Sequence, residues 1–457
     1  MKMTHLTVAA FTVAGCASNS PRPSFEETSK LVEDRGGKRL YWDEGTPADA
    51  QVQAHVRDLL RGTLTPEGAV EVALLRNQGL VATYEELGVA QADLVEAGLL
   101  RNPTVGARVR FPTGAGSTDT EFSVAEDFLS ILTLPMRKRV AAAQLDATKA
   151  RVGSAVLDLT AEVREALVAL QAAQATAKVR QLLLEAQQAA AELRRRQRAA
   201  GNVGDLELVQ EEAFYQQAKL ELARAQTRIV EQRERVNRLL GLWGEESTSW
   251  KVSDELPALP PAEPALEHVE SLAVARRLDL AAAKSEAQAF EQGASAAGLT
   301  RFIPALEVGV STERDAEGTR VSGPSVTVEL PLFDQGQGRV ARLASQVRQA
   351  RARAAALAVN VRAEVRTLRS RLLAARGVVD HYRTVLLPLR ERAVQHAQLR
   401  YNSMLLGVFQ LLVARRDQID AYRDYLDSVR DYWTTRAELE RAAGGSLTAT
   451  LAQENKP

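Results

Sequence analysis

What this sequence has little of narrows it first. It holds one cysteine, Cys16, so no disulfide can close within the chain and no cysteine-rich zinc site can form. Aromatics are only 5% of the residues, and the strong helix formers Ala, Leu, Arg, Glu and Gln dominate instead. Fifty-eight basic residues balance 58 acidic ones, so no bulk field steers the chain to nucleic acid. No run approaches the roughly 20 apolar residues of a spanning helix. The histidines His5, His55, His268, His381 and His396 make no ligand-like cluster. Gly336-Gln337-Gly338 lacks the third glycine and the acidic partner of a dinucleotide site, and no phosphate-loop lysine is present. Arg194-Arg195-Arg196 follows Glu192 on a long helical stretch, which suits a solvated or docking face better than nucleic acid. No catalytic residues, no metal site and no cofactor are expected, and the chain reads as a non-enzyme.

The best apolar run, 6–15, has the length of a signal-peptide core, and Lys2 supplies its positive end. Val13-Ala14-Gly15-Cys16 has the form of a lipobox: an apolar residue, two small ones, then the cysteine that takes the lipid. Ala17 follows, not the aspartate that holds lipoproteins in the inner membrane. These residues predict a signal peptide over 1–15, lipidation at Cys16, and a lipid-anchored protein in the outer membrane of a Gram-negative bacterium. A lipidated linker would occupy 16–62.

The remainder repeats itself once. Thr65-Pro66-Glu67 opens a helix with a capping threonine, a first-turn proline and an early acid. An amphipathic helix to about 100 ends at Asn102-Pro103, and the period then changes from near four to two. Val105, Ala107, Val109 and Phe111 alternate with Gly106, Arg108 and Arg110. Phe122, Val124 and Phe128 oppose Glu121, Ser123 and Asp127, with Glu126 spoiling the apolar face. A long helix to about 200, an interruption at Gly201-Asn202-Val203-Gly204 and a shorter helix to 240 follow. The second half repeats this order: a helix over 265–299, alternating strands, a long helix over 339–403 and a shorter one over 405–443. The reading gives a first repeat over 63–241 (strands near 103–112 and 121–130) and a proline-rich equatorial linker over 242–264. A second repeat covers 265–443 (strands near 304–313 and 324–333), with a C-terminal tail over 444–457.

The lengths restrict the architecture. A helix of roughly 65 residues is on the order of 100 Å long, too long for a compact domain. Leu145, Val152, Val156, Leu159, Val163, Leu167 and Leu170 are spaced by threes, fours and sevens, as in a coiled-coil seam. Leu357, Val361, Val365, Leu368, Leu372, Ala375, Val379, Tyr382 and Leu386 form the second seam. Pro388 inside the second long helix predicts a local bend, since the periodicity resumes after it. Strands of about ten alternating residues cross a bilayer when tilted, with the apolar face to lipid and the polar face to a wet lumen. Arg108, Arg110, Glu307 and Glu329 would line that lumen. Four strands cannot close a barrel, but three copies supply twelve. The expected fold is mainly α with a transmembrane β part: two repeats, each two strands plus long coiled-coil helices, and a homotrimer forming a twelve-stranded barrel on an α-helical periplasmic tunnel.

Several segments carry a resemblance. Ala69-Val70-Glu71-Val72-Ala73-Leu74 precedes Arg76-Asn77, and Asn102-Pro103 comes later; Leu330-Pro331-Leu332-Phe333-Asp334-Gln335-Gly336 ends the second hairpin; Arg400-Tyr401 precedes Leu411-Leu412-Val413-Ala414-Arg415. Together, over 63–443, the chain resembles the TolC-like outer-membrane efflux protein family. The resemblance implies passive conduction across the outer membrane, with a periplasmic adaptor protein joining the duct to an inner-membrane transporter of the resistance–nodulation–division type. It implies adaptor docking at the helix tips, here Arg198, Gly201, Asn202, Val203 and Gly204, and Arg400, Tyr401, Ser403 and Gly407. The second tip departs from the family, with Met404 where glycine is common and Gly407 where serine or threonine is. Gating would fall on carboxylates near the tips: Asp205, Glu207, Glu211, Asp417 and Asp420. The rival functions are the exit duct of a type I protein secretion system and, from another class, a cytoplasmic structural coiled-coil spacer.

Overall fold

The computed structural model describes residues 20–447 apart from 43–46, 112, 114–117, 265, 304 and 315–317. The expected signal peptide and Cys16 lie outside the described residues, as does the tail beyond 447. The chain divides into two compact units. One takes in Glu86–Thr148, Ser285–Arg351 and the described residues up to Glu26; the other takes in Glu27–Glu85, Lys149–Lys284 and the described residues from Ala352 on. The helices are α1 (Arg22–Glu33), α2 (Pro47–Arg61), α3 (Pro66–Arg76), α4 (Gln78–Ala97), α5 (Phe128–Ala199), α6 (Asp205–Leu240), α7 (Glu246–Ser249), α8 (Val269–Arg276), α9 (Leu278–Thr300), α10 (Gln337–His381), α11 (Leu387–Asn402) and α12 (Val408–Ala442). The strands are β1 (Thr63–Leu64), β2 (Thr104–Arg110), β3 (Asp119–Asp127), β4 (Lys251–Val252), β5 (Leu306–Arg314) and β6 (Arg320–Val328).

In the first unit the two expected hairpins join into one antiparallel sheet in the order β2-β3-β5-β6. The middle seam pairs β3 with β5, putting Val124 opposite Val310 and Asp127 opposite Glu307. The second strand of each hairpin stops sooner than expected. Asp127 ends β3 because its carboxylate accepts from the Ser130 N–H at 3.0 Å, capping the new helix, so Phe128 is helical. Glu329, expected on a strand, lies one residue past β6, although its N–H still donates to the Ala305 carbonyl at 3.2 Å.

The second unit is helical. Thr65 caps α3 as its sequence predicts, its hydroxyl accepting from Gly68 N–H at 3.1 Å with Pro66 next in line. The seam residues Val152, Val156, Val163, Leu167 and Leu170 are buried on α5, and Val361, Val365, Leu368, Leu372 and Val379 on α10. Leu159 and Leu357 are only half-buried. Pro388 is accommodated by a π-helical turn, Tyr382–Leu386, set immediately before α11. Proline lacks the N–H that an α-helix would pair with Thr384 and crowds that carbonyl, and the wider turn relieves both.

The single helix expected before each hairpin is instead two. The breaks fall at Asn77 and Arg277, where the backbone turns extended. Asn77 replaces the lost bonds with its side chain, donating to Leu239 O and accepting from Leu80 N. Arg277 forks onto Asp279 and Glu364. The expected linker over 16–62 carries α1 and α2. The proline stretch is fastened as well: β4 pairs in parallel with β1, Trp433 donates to Pro257 O, and Arg376 donates to the carbonyls of Pro260 and Pro261.

Candidate conduit surfaces

The sheet register sorts its side chains into two chemistries. One face carries Val105, Ala107, Val109, Phe122, Val124, Leu306, Val308, Val310, Val326 and Val328. Its valines are open to the surroundings, 76% exposed at Val105 and 64% at Val326. Among the described residues, the outer strands β2 and β6 each keep an unpaired edge. Glu126 stands on this face opposite Val308, as its sequence position suggests. The other face carries Arg108, Arg110, Asp119, Glu121, Asp127, Glu307 and Glu313. Here Arg108 reaches Glu121 at 3.3 Å, and Arg110 reaches both Asp119 and Glu313 at 3.4 Å. Arg101, from the loop before β2, pairs with Asp127 at 3.1 Å. The lumen candidates Arg108, Arg110 and Glu307 therefore share one face, and the strand parity carries Glu329 to the same side.

The two helix tips are built alike. At the first, Gly201 N donates to Arg198 O and Asn202 N to Gln197 O. At the second, Met404 N donates to Tyr401 O and Leu405 N to Arg400 O. This is the same helix-ending motif, with one left-handed residue in each: Gly201 at φ +75° and Met404 at φ +60°. Gly204 and Gly407 then open α6 and α12 from extended backbone without a side-chain cap. Met404 is 95% exposed, and Leu405, Leu399 and Tyr401 are exposed beside it.

The gate candidates do not form one group. Asp205 is exposed at the first tip, and its partner is the docking candidate Arg198, whose Nε donates at 2.6 Å. That bond holds the Asp205 carboxyl below its ordinary range. Glu207 is exposed two residues further along α6. Glu211 is half-buried, and burial raises its pKa against the pull of Arg194 and Arg416. Asp417 accepts from Arg390 at 3.1 Å. Asp420 lies between Arg423 at 3.1 Å and Arg180 at 3.7 Å. Each of these carboxylates except Glu207 faces guanidinium within the chain. Arg194, in the run read as a docking face, lies over the Phe409 ring at 3.1 Å and so ties α5 to α12.

Sequence reasoning missed a charged cleft in the helical unit. A cavity of about 900 Å³ is lined by Asp158, Glu162 and Glu165 of α5, Arg235 of α6, Glu364 and Arg371 of α10, and Glu438 and Arg441 of α12. Burial and the neighbouring Glu438 push the Glu165 carboxyl up to about 7, against Arg235 and Arg441. Arg441 bridges Glu364 at 2.6 Å and Asp158 at 3.5 Å. The available signal was a carboxylate two residues past the seam position Val163, too ordinary on a long helix to single out.

No protein-family model matches the chain. It is 23% identical to the cobalt-zinc-cadmium resistance protein CzcC of Cupriavidus metallidurans over 373 residues, 79% of this chain and 85% of that one. Among solved structures it superposes on the outer-membrane channel OprN with a TM-score of 0.72 at 19% identity, covering 85% of this chain and 92% of that one. The outer membrane protein VceC of Vibrio cholerae gives 0.69 at 19% identity, covering 87% and 98%. The chain shares its fold with these outer-membrane proteins, and its four-stranded sheet has two faces of opposite character. The chain is thus similar in sequence and in fold to TolC-like outer-membrane efflux channels.

Proposed function

We propose that the chain is the outer-membrane channel of a tripartite efflux pump, working as a homotrimer that conducts substrates passively to the cell exterior. The observation that carries this reading is the sheet. An exposed valine-rich face, a charged opposite face and two unpaired edges suit a segment of a closed barrel in lipid, where apolar and lumen residues alternate and no edge is left open. Among the described residues no helix is long and apolar enough to cross a membrane. Three such sheets closed edge to edge would give twelve strands.

In this assembly the long helices form the periplasmic tunnel. The tips at Gly201 and Met404 receive a periplasmic adaptor that links to an inner-membrane transporter of the resistance–nodulation–division type. Cys16 carries the lipid anchor. CzcC is named for cobalt, zinc and cadmium, and small metal cations are the cargo class we assign here. The test is to place detergent-solubilised protein from the membrane fraction in planar bilayers and to measure its mass alongside. A trimer with discrete conductance steps, and lipid mass lost in Cys16→Ser, is the expected result. A soluble monomer or dimer without conductance would overturn the channel and leave a coiled-coil spacer.

A further inference from the structure

The junctions between sheet and helices share one pattern. Ahead of β2, Leu99 and Leu100 stand exposed just before Arg101. Ahead of β5, Phe302 and Ile303 are exposed, and the Arg301 guanidinium lies over the Phe302 ring at 4.6 Å. After β3, the first turns of α5 put Phe128, Ile131, Leu132 and Pro135 on one exposed stripe, at the three- and four-residue spacing of a helix face. Lys138 and Arg139 continue that stripe and are exposed as well. After β6, Leu330, Leu332 and Phe333 are exposed, Phe333 at 94%. Arg339 and Arg342 follow on α10, both exposed. All of these residues belong to the unit that holds the sheet.

Among the described residues, Lys138, Arg139, Arg339 and Arg342 meet no carboxylate. Arg139 Nε donates to Pro135 O at 3.3 Å and Arg339 to the Thr300 hydroxyl at 3.5 Å, both neutral acceptors. Further along α10 the rule changes, and Arg351 is answered by Glu291 at 2.7 Å. On α5 the apolar stripe ends at Pro135 and the cations begin three residues on, about 5 Å along the axis. The polar layer on each side of a bilayer's hydrocarbon core is about 5–8 Å deep. Lys and Arg bury their stems beside apolar groups and hold the charge outside them. We propose that Lys138 and Arg139, with Arg339 and Arg342, form a basic collar that holds anionic phospholipid headgroups in the leaflet facing the periplasm. The inference rests on the barrel reading above, which places the sheet in lipid. The exposed apolar residues then sit in that leaflet's hydrocarbon, and the unpaired cations take their counter-charge from lipid phosphates, as basic clusters beside a membrane do. One pair of cations per repeat recurs around a trimer as a ring and fixes the depth of the channel in the membrane.

The test reconstitutes the purified protein in phosphatidylcholine vesicles holding a trace of spin-labelled lipid, either phosphatidylglycerol or phosphatidylcholine. The motionally restricted fraction of each label, read by electron paramagnetic resonance, gives a relative association constant. Phosphatidylglycerol should be favoured by about twofold or more in the wild type, and by less at high salt. In the quadruple variant Lys138→Gln, Arg139→Gln, Arg339→Gln, Arg342→Gln the preference should vanish. The charge-keeping exchanges Lys138→Arg, Arg139→Lys, Arg339→Lys, Arg342→Lys should retain it. Arg348→Gln with Arg351→Gln, further along α10, should leave it unchanged. If the quadruple variant does not assemble, the two double variants, one per repeat, should each lose part of the preference. A conducting wild type with no headgroup preference, or a preference that neutralisation leaves intact, overturns the inference while the channel stands. Loss of the trimer on neutralisation, with no wild-type preference, would assign the cations to a neighbouring copy instead. An equal loss in the Arg348→Gln, Arg351→Gln variant overturns the placement at the junction. Absence of a restricted fraction for either label overturns the barrel and the inference together.

Discussion

A Cβ added to Gly241 would lie 2.6 Å from the carbonyl oxygen of Arg76. The same relationship recurs in the second repeat, where a Cβ on Gly444 would lie 3.0 Å from the backbone of Arg276 and Arg277. Both glycines are left-handed, φ +68° and +79°, and both follow the shorter helix of their repeat. Each therefore lets a helix end close on the break between the two helices that precede a hairpin.

Gly241→Ala should destabilise the chain by about 2–3 kcal/mol, since an L side chain there meets both a left-handed backbone and another segment's carbonyl. Gly244 is left-handed as well, φ +62°, but a Cβ there meets nothing within 4 Å. Gly244→Ala should thus cost about 1 kcal/mol, the backbone penalty alone. Thermal unfolding followed by helical circular dichroism separates the two, and equal losses would disprove the steric argument.

Met404 takes the left-handed position that Gly201 fills in the other repeat. Met404→Gly should stabilise the second tip by about 1 kcal/mol, and Gly201→Met should weaken the first by a similar amount. Proteolytic nicking at the tips reports this directly, since cleavage there tracks local opening. A Met404→Gly variant cut faster than wild type would contradict the backbone account and point to a packing role for the methionine.

The cleft around Glu165 gives a pH dependence whose sign can be stated. The carboxyl is raised in the folded chain to about 7. Folding therefore favours its protonated form. Its contribution to stability is fully present below the ordinary glutamate range and is lost as pH rises through about 7. Melting temperature should fall between pH 5 and pH 8, to the order-of-magnitude range set by linkage, and the fall should be smaller in Glu165→Gln. Glu162, Glu438, Asp158, Glu364, Arg235, Arg371 and Arg441 line the same cleft, so the informative quantity is the difference between variant and wild type. Identical profiles would remove Glu165 as the source.

Glu263 is 6% exposed at its side chain and sits between Arg376 at 2.9 Å and Arg436 at 2.8 Å, with the Tyr432 hydroxyl as a third partner. Burial, with Glu263 adding to it, raises Tyr432 to about 12. Glu263→Gln leaves two guanidiniums without their anion and should cost about 3–5 kcal/mol. A change under about 1 kcal/mol in denaturant unfolding would mean that solvent reaches the group.

Periodicity made the internal repeat, the sheet faces and both coiled-coil seams readable in the sequence. Val124 and Glu121 separate by parity, and Val156 and Val163 by helical spacing, without any knowledge of partners. The two breaks at Asn77 and Arg277 were not readable. Neither carries a proline, and each is held by remote groups, Leu239 for one and Glu364 for the other. The tips were placed by their glycines, yet the partners of Asp205, Asp417 and Asp420 depend on side chains as far as 240 residues away (Arg180 to Asp420). Pairing of β3 with β5 was equally remote, because it joins strands from different repeats.

That pairing has a consequence for symmetry. The strand order runs two from the first repeat, then two from the second. In any closed ring of such sheets, every seam between hairpins joins unlike repeats. Alternate seams lie within one polypeptide and between neighbouring ones. A single ancestral repeat, present in twice as many copies, would close through the same kind of seam at every step. Carrying two repeats on one polypeptide leaves the geometry of such a ring unchanged but halves its symmetry. The two halves then need not be alike, and Gly201 and Met404 are one place where they differ.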